Sequence, residues 1–135
     1  MPRKHGRLAS KLRKRTASGR ARASLGRAAD KTLHEALHHL GSGNLARAEV
    51  VFTQLLRREP DHGQALLSLG NIAAQTNRPE KALELFKRAA HSDPSNPIPF
   101  AQMGRALAVM GRLDEAIATL EEAISRDHGV PELYF

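Results

Sequence analysis

The sequence predicts an all-α fold, a right-handed α-solenoid of antiparallel helix pairs. Small and apolar residues recur at a fixed interval of 34 residues, called the repeat period below. Within each unit the apolar residues follow helical spacing, and short turn signals separate the helical segments. A fixed period of this kind is typical of units that bury their apolar faces only by stacking on neighbours. The recurring columns are Ala36, Gly70 and Gly104; Ala48, Ala82 and Ala116; Phe52, Phe86 and Leu120; and Leu55, Ala89 and Ala123.

The first unit, residues 29–62, predicts two helices. The first helix carries the stripe Leu33, Leu37 and Leu40, whose i, i+4, i+7 spacing places them on one face, and it stops at the Gly41-Ser42-Gly43 segment. The second helix ends before Pro60, because the residue before a proline disfavours the helical conformation.

The second unit, residues 63–96, predicts the third and fourth helices. Asp61 followed by Gln64 has the spacing of a capping box, which predicts a helix start there. Asn77 and Glu80 repeat that spacing ahead of the fourth helix.

The third unit, residues 97–130, predicts the fifth and sixth helices. The fifth opens at Pro97 and runs to about Met110, where Gly111 breaks it, and the sixth runs from Leu113 to Ser125. Residues 131–135 restart the pattern, since Pro131 and Tyr134 follow Pro97 and Phe100 by one repeat period. We therefore expect a truncated fourth unit, and an incompletely covered surface around Ala116, Leu120, Ala123 and Ile124. Such a surface indicates either a fragment of a longer polypeptide, or pairing of this end with a partner protein or with another copy of the chain.

The formal net charge of +7 is unevenly distributed. The remainder of the chain, 29–135, has 11 Lys and Arg against 14 Asp and Glu, so a basic tail precedes a mildly acidic body. Few large apolar residues and strong self-repulsion predict that the tail, residues 1–28, is disordered. The tail has no acidic residue, and its cations are Arg3, Lys4, Arg7, Lys11, Arg13, Lys14, Arg15, Arg20, Arg22 and Arg27.

This tail has several possible roles. It suits electrostatic contact with nucleic acid, contact with an anionic membrane, or organelle targeting, and it also suits a solvating extension without a partner. The chain has no Cys, which excludes disulfides and is compatible with a reducing compartment. We expect a cytoplasmic protein, or a mitochondrial one if the tail is a targeting segment. No apolar run approaches the roughly 18–20 residues of a transmembrane helix.

The second and third units resemble the tetratricopeptide repeat (TPR). The residues that carry this resemblance are Leu69-Gly70, Ala82, Phe86, Ala89 and Pro94 in the second unit, and Phe100, Met103-Gly104, Ala116 and Ala123 in the third. The resemblance covers residues 29–130, and the first unit matches the family pattern less well than the other two. Gly70 and Gly104 are expected where paired helices approach closely.

The resemblance implies a concave groove lined by the first helix of each pair. It places in that groove Leu33, His34, Leu37, Gln64, Leu67, Ser68, Asn71, Ile98, Ala101, Gln102 and Arg105. An extended peptide is expected to use Asn71 for its backbone and Arg105 for a carboxylate. The alternative interpretation, of equal weight, is that Asn71 and Arg105 are ordinary solvated residues without a ligand. Leu33, Leu37, Ile98 and Gln102 replace the Lys, Arg and Asn with which TPR cochaperones grip acidic tails, which argues against that specific role.

Two short motifs suggest chemistry that their context disfavours. His34 to His38 reads HEALH, which fits the zinc-protease pattern HExxH, but the repeat accounts for it as a helix of the first unit. The GxGxxA pattern beginning at Gly41 follows a helix, whereas dinucleotide binding requires a preceding strand. We predict no catalytic, cofactor or metal site.

The leading interpretation is a non-enzymatic scaffold that binds a peptide segment or a partner helix in the groove. The alternatives are the N-terminal recognition module of a larger bacterial transferase, for a sulfo or glycosyl group, and a tail-driven adaptor for nucleic acid or anionic membrane.

Overall fold

The computed structural model describes residue 28 and residues 30–127. Most of the predicted tail and the predicted start of a fourth unit lie outside these residues. The described part contains six α-helices joined by turns: α1 (30–41), α2 (Leu45–Arg58), α3 (Gly63–Gln75), α4 (Pro79–Ser92), α5 (Pro97–Val109) and α6 (Leu113–Arg126).

The helices recur with the period of the sequence. Leu45, Pro79 and Leu113 begin the second helix of each pair at intervals of one repeat period, and Gly63 and Pro97 begin successive first helices at the same interval. Connections of three or four residues between helices of this length produce antiparallel neighbours. The predicted all-α solenoid is confirmed.

One turn geometry joins the two helices of every pair. Gly43, Asn77 and Gly111 have backbone φ angles of 78°, 60° and 77°, in the left-handed region. The residue that follows each of them donates its backbone N–H, at 2.8 to 2.9 Å, to the carbonyl five residues earlier. This pattern is the Schellman motif, in which a left-handed residue ends a helix and satisfies its last carbonyl groups.

Two glycines let the paired helices approach closely. A Cβ placed on Gly70 would lie 2.4 Å from Cε1 of Phe86, and one on Gly104 would lie 2.6 Å from Cδ2 of Leu120. These distances are far below van der Waals contact. The close approach expected at Gly70 and Gly104 is confirmed, and the residue that faces each glycine is a bulky one from the second helix of the pair.

The core is largest in the first two units. Residues of α1 to α4 form one continuous cluster, in which Phe52, Leu66 and Phe86 are among the largest fully buried side chains. A smaller cluster, around Leu83 and Leu107, connects α4 with the third unit. Packing therefore becomes thinner toward α6.

Two predicted helix caps are wrong. His62, rather than Asp61, caps α3, because its Nδ1 accepts a hydrogen bond from the backbone N–H of Ala65 at 3.1 Å. Asn77 occupies the left-handed position that ends α3, and Arg78 precedes α4 without a side-chain capping bond.

The predicted open surface on the last helix is partly wrong. Ala116 and Ala123 are buried, with 3% and 7% of their surface exposed. The large apolar residues that remain exposed on α6 are Leu113, Ile117, Leu120 and Ile124. Ala116 packs in a cluster with Ala106 and Leu107 of α5, on a face of α6 that is adjacent to this stripe.

None of the helices within residues 30–127 combines the length and the apolar run that a bilayer crossing requires.

Candidate functional site

A groove crosses all three helix pairs. It has a volume of about 810 Å³ and lies at the C-terminal ends of α1, α3 and α5, where Leu40, Gln75 and Val109 border it. The turns, the starts of α2 and α4, and Phe86 in the middle of α4 also contribute to its wall. The repeat positions the groove, because its lining residues form pairs separated by one repeat period: Leu40 and Ala74, Asn71 and Arg105, Gln75 and Val109, Gly43 and Asn77, and Leu45 and Pro79.

The lining combines amide groups with apolar surface. Asn71, Gln75, Asn77 and Gln102 contribute side-chain amides. Each amide offers two N–H donors and a carbonyl acceptor, the same groups that a peptide backbone needs as partners. Val109 adds an apolar side chain that is 75% exposed. Such a surface can hold a backbone by hydrogen bonds and an apolar side chain by burial.

Arg105 supplies the charge of the groove. It is the one ionisable side chain among the lining residues, and no carboxylate lines the groove beside it. Its contact is a long hydrogen bond, 3.5 Å from Nη1 to Oε1 of Gln102 on the same helix. Most of its five donors therefore remain available, and a guanidinium recognises a carboxylate by paired hydrogen bonds.

The structure brings together three of the eleven predicted groove residues. Asn71, Gln102 and Arg105 line the groove. Leu33, Leu37 and Leu67 are half-buried against the core, and Ser68 is buried. Outside the groove lie Gln64 and Ile98, which are exposed, and Ala101, which is half-buried. These three are near the starts of α3 and α5, whereas the groove lies near the ends of these helices.

Sequence reasoning missed several lining residues that helical spacing could have found. Gln75 and Val109 each lie four residues, about one turn, after Asn71 and Arg105, and therefore on the same helix face. Leu40 lies at the end of α1, beyond the portion that the prediction considered.

The histidines of the HEALH motif lie apart from the groove. His34 and His38 are exposed and border a separate depression of about 530 Å³ together with Asp30, Lys31 and Glu35. Glu35 lies 3.9 Å from His39 instead, Oε1 to Nε2. Within residues 30–127, no three His, Asp or Glu side chains converge as metal ligands would.

A helical-repeat solenoid with a groove across its helix pairs is a class of binding scaffold, and comparisons of sequence identify its family. Two family models described as tetratricopeptide repeat match residues 33–97 and 73–134. Together they span most of the chain, which belongs to the tetratricopeptide repeat family.

A curated relative is the TPR repeat-containing thioredoxin TTL4 of Arabidopsis thaliana. It is 29% identical over 99 residues, which are 72% of this chain and 14% of that protein. The chain thus spans about one seventh of the relative that it matches.

Solved structures share the fold. The TPR2B domain of yeast Sti1, in a pHsp70 complex, superposes with a TM-score of 0.71 at 17% identity, over 78% of this chain and 85% of that one. The Yersinia enterocolitica chaperone SycD, in complex with a peptide of the translocator YopD, gives 0.72 at 22% identity, over 77% and 79%. A mutant of the Thermobaculum terrenum O-GlcNAc transferase gives 0.71 at 23%, over 76% of this chain and 20% of that one.

Proposed function

We propose that this protein is a non-enzymatic scaffold that holds an extended peptide segment in the groove across α1, α3 and α5. The observation that carries the proposal is the placement of Asn71, Gln75, Gln102 and Arg105 along one groove. Their amides match a peptide backbone, while Arg105 matches a carboxylate. The folds named above that were solved with a peptide or with pHsp70 support the same mode of use.

The proposal also specifies the chemistry of the peptide. One cation and no carboxylate in the groove favour a peptide with an acidic side chain or a free C-terminal carboxylate. The exposed Val109, one turn from Arg105, favours an apolar side chain adjacent to that carboxylate. A basic peptide would meet Arg105 without a compensating charge.

The test is binding of the full chain to an array of short peptides that vary in charge and apolar content. Acidic peptides containing an apolar residue should bind best. Arg105→Gln should weaken their binding about tenfold or more, since a hydrogen bond to a charged group contributes about 1.5–3 kcal/mol. Asn71→Ala should weaken acidic and neutral peptides alike.

Arg57→Gln is the matched control, because Arg57 is exposed on α2 and does not line the groove. Equal losses for Arg57→Gln and Arg105→Gln would show that only the net charge matters. Peptide capture unaffected by a double Asn71→Ala, Arg105→Gln change would remove the groove as the binding site.

The two alternative functions stay predictions. Nucleic-acid or anionic-vesicle binding should vanish when residues 1–28 are deleted, if the tail carries it. Continuation of the natural polypeptide well beyond Phe135 into a catalytic domain would favour the transferase-module hypothesis, and the intact mass measures this directly.

A further inference from the structure

Two histidines of α1 lie one helical turn apart and border the same depression. His34 and His38 are separated by four residues, so they are neighbours on one face of the helix, with Cβ atoms about 5–6 Å apart. Both are exposed, and both line the depression of about 530 Å³. Among residues 30–127, neither imidazole takes part in a hydrogen bond or an ion pair. Their ring nitrogens are therefore available to a ligand.

The charges around the two histidines favour a cation. Asp30 lies four residues before His34, and it therefore continues the row of the two imidazoles along the helix. Glu35 and Lys31 also border the depression. Two carboxylates against one ammonium give its lining a negative formal charge, which raises the local concentration of cations.

A neighbouring pair on the same helix is already engaged. Oε1 of Glu35 lies 3.9 Å from Nε2 of His39, whose side chain is only 21% exposed. The ring centroids of His38 and His39 are 5.8 Å apart, with an angle of 60° between the ring planes. His39 follows His34 by five residues, which places it off the face that His34 and His38 share. The available ligands are thus two imidazoles, with His39 beside them.

Two imidazoles at this spacing form a chelating pair. Neutral imidazole suits the late first-row divalent ions Zn²⁺, Cu²⁺ and Ni²⁺. Once one ring has bound an ion, the second ring binds it as an intramolecular ligand, because the helix already holds the two rings close together. Catalytic zinc sites use three protein ligands and an open position. Since no third His, Asp or Glu of residues 30–127 converges with the pair, the arrangement suits binding of an ion and not hydrolysis of the HExxH kind.

We propose that His34 and His38 together bind one late first-row divalent ion, such as Zn²⁺, with water in the remaining coordination positions. The ion links two successive turns of α1, so its binding stabilises that helix in the folded chain. Asp30 and Glu35 strengthen the attraction for the ion, whereas Lys31 opposes it. The site is separate from the peptide groove, because none of these residues lines the groove.

Calorimetric titration of the full chain with Zn²⁺ near neutral pH tests the site. We expect one ion per chain. His34→Gln and His38→Gln should each weaken binding about tenfold or more, since each leaves one imidazole without the intramolecular gain. The double variant keeps five of the seven histidines, so any binding that it retains comes from other groups. An affinity unchanged in the double variant would overturn the proposal.

His91→Gln is the matched control. His91 is exposed and is the one histidine on α4, so its helix offers it no second imidazole at chelating distance. This substitution should leave the affinity for Zn²⁺ unchanged. A loss equal to that of His34→Gln would assign the binding to exposed histidines in general and contradict a chelating pair.

Proton competition and hydrogen exchange locate the ion independently. Because the metal binds neutral imidazole, the affinity should fall steeply at about pH 5.5, and binding that persists there would indicate carboxylate ligands and contradict the site. Zn²⁺ should slow amide exchange in α1 of the unaltered chain and leave it unchanged in the double variant. Slowing confined to other helices would place the ion elsewhere and overturn the proposal.

Discussion

Arg78 and Glu49 join the first two units through paired hydrogen bonds. Nη1 of Arg78 donates to Oε1 of Glu49 at 2.9 Å, and Nη2 donates to Oε2 at 3.0 Å. Nζ of Lys81 lies 3.4 Å from the same Oε1. Since Glu49 lies on α2 and Arg78 directly precedes α4, this geometry fixes the start of α4 against the preceding pair.

The pair predicts a pH-dependent contribution to stability. Hydrogen bonding from Arg78 lowers the pKa of the Glu49 carboxyl, against the opposing effect of partial burial. A carboxyl whose pKa is lower in the folded state stabilises the fold when the pH is above its ordinary pKa of about 4.3. That stabilisation is lost as the pH falls through the pKa of the folded state. Glu49→Gln should therefore lower the urea midpoint at pH 7, and the difference should shrink as the pH falls below about 4.3.

Glu84→Gln is the control for this prediction. Glu84 is exposed on α4 and takes part in none of the ion pairs among the described residues. A similar loss from both substitutions at pH 7 would assign the effect to general charge and not to the Arg78 contact.

Gly70→Ala should destabilise the protein more than Gly104→Ala. The new methyl group would collide with Phe86, which is 1% exposed and enclosed, in one case and with Leu120, which is 37% exposed, in the other. Leu120 can rotate toward solvent, whereas Phe86 is held by its neighbours. We expect a loss of about 1–3 kcal/mol for Gly70→Ala, typical of overpacking, and a smaller one for Gly104→Ala. Urea unfolding measures both, and the reverse order would contradict the assigned contacts.

The stability cost of substitutions at the left-handed turn residues, Gly43, Asn77 and Gly111, should depend on how well the new residue tolerates a positive φ. Gly111→Ala should cost about 1–2 kcal/mol, because a Cβ disfavours the left-handed region. Gly111→Asn should cost less, since Asn77 occupies the equivalent turn with φ of 60°. Thermal unfolding separates the two variants. Gly41→Ala is the control, as Gly41 has nothing near its Cβ and no positive φ, and a loss from it equal to that from Gly111→Ala would exclude the backbone explanation.

Phe86→Ala and Leu120→Ala compare two residues that are one repeat period apart, of which only Phe86 is followed by a further helix pair among the described residues. Phe86 is fully enclosed, so its truncation should cost about 3–5 kcal/mol through lost burial and a cavity. Leu120 is partly exposed, and its truncation should cost about 1 kcal/mol, less than the value for a fully buried leucine. Comparable losses, measured by urea unfolding, would indicate that Leu120 is buried in solution.

The sequence predicts the fold well because each element obeys the same repeat period. The helix starts and the left-handed turns at Gly43, Asn77 and Gly111 all follow it. The column of small residues Ala36, Gly70 and Gly104 follows it too. The caps are less predictable. His62 accepts a hydrogen bond through Nδ1, a role that Ser, Thr, Asp and Asn fill more often, and Asn77 serves a turn in place of a cap.

The groove is only partly predictable from the sequence. The resemblance to the repeat family places Asn71, Gln102 and Arg105 in the groove, and they line it, whereas Leu33, Leu37 and Leu67 pack against the core. Apolar residues on the inner helices can serve either purpose. Which one each serves depends on how deeply the neighbouring helix packs, and spacing alone does not contain that information.

The uneven distribution of the hydrophobic core predicts that one end of the helix array unfolds locally more easily than the other. One large cluster holds α1 to α4, and a small one holds the third unit to α4. In a stack where each unit contacts only its neighbours, stability is a sum of local terms, so the thinly packed end opens most easily. We expect amide hydrogen exchange to be fastest in α6, slower in α5 and slowest in α3 and α4, so that the array unzips from its C-terminal side.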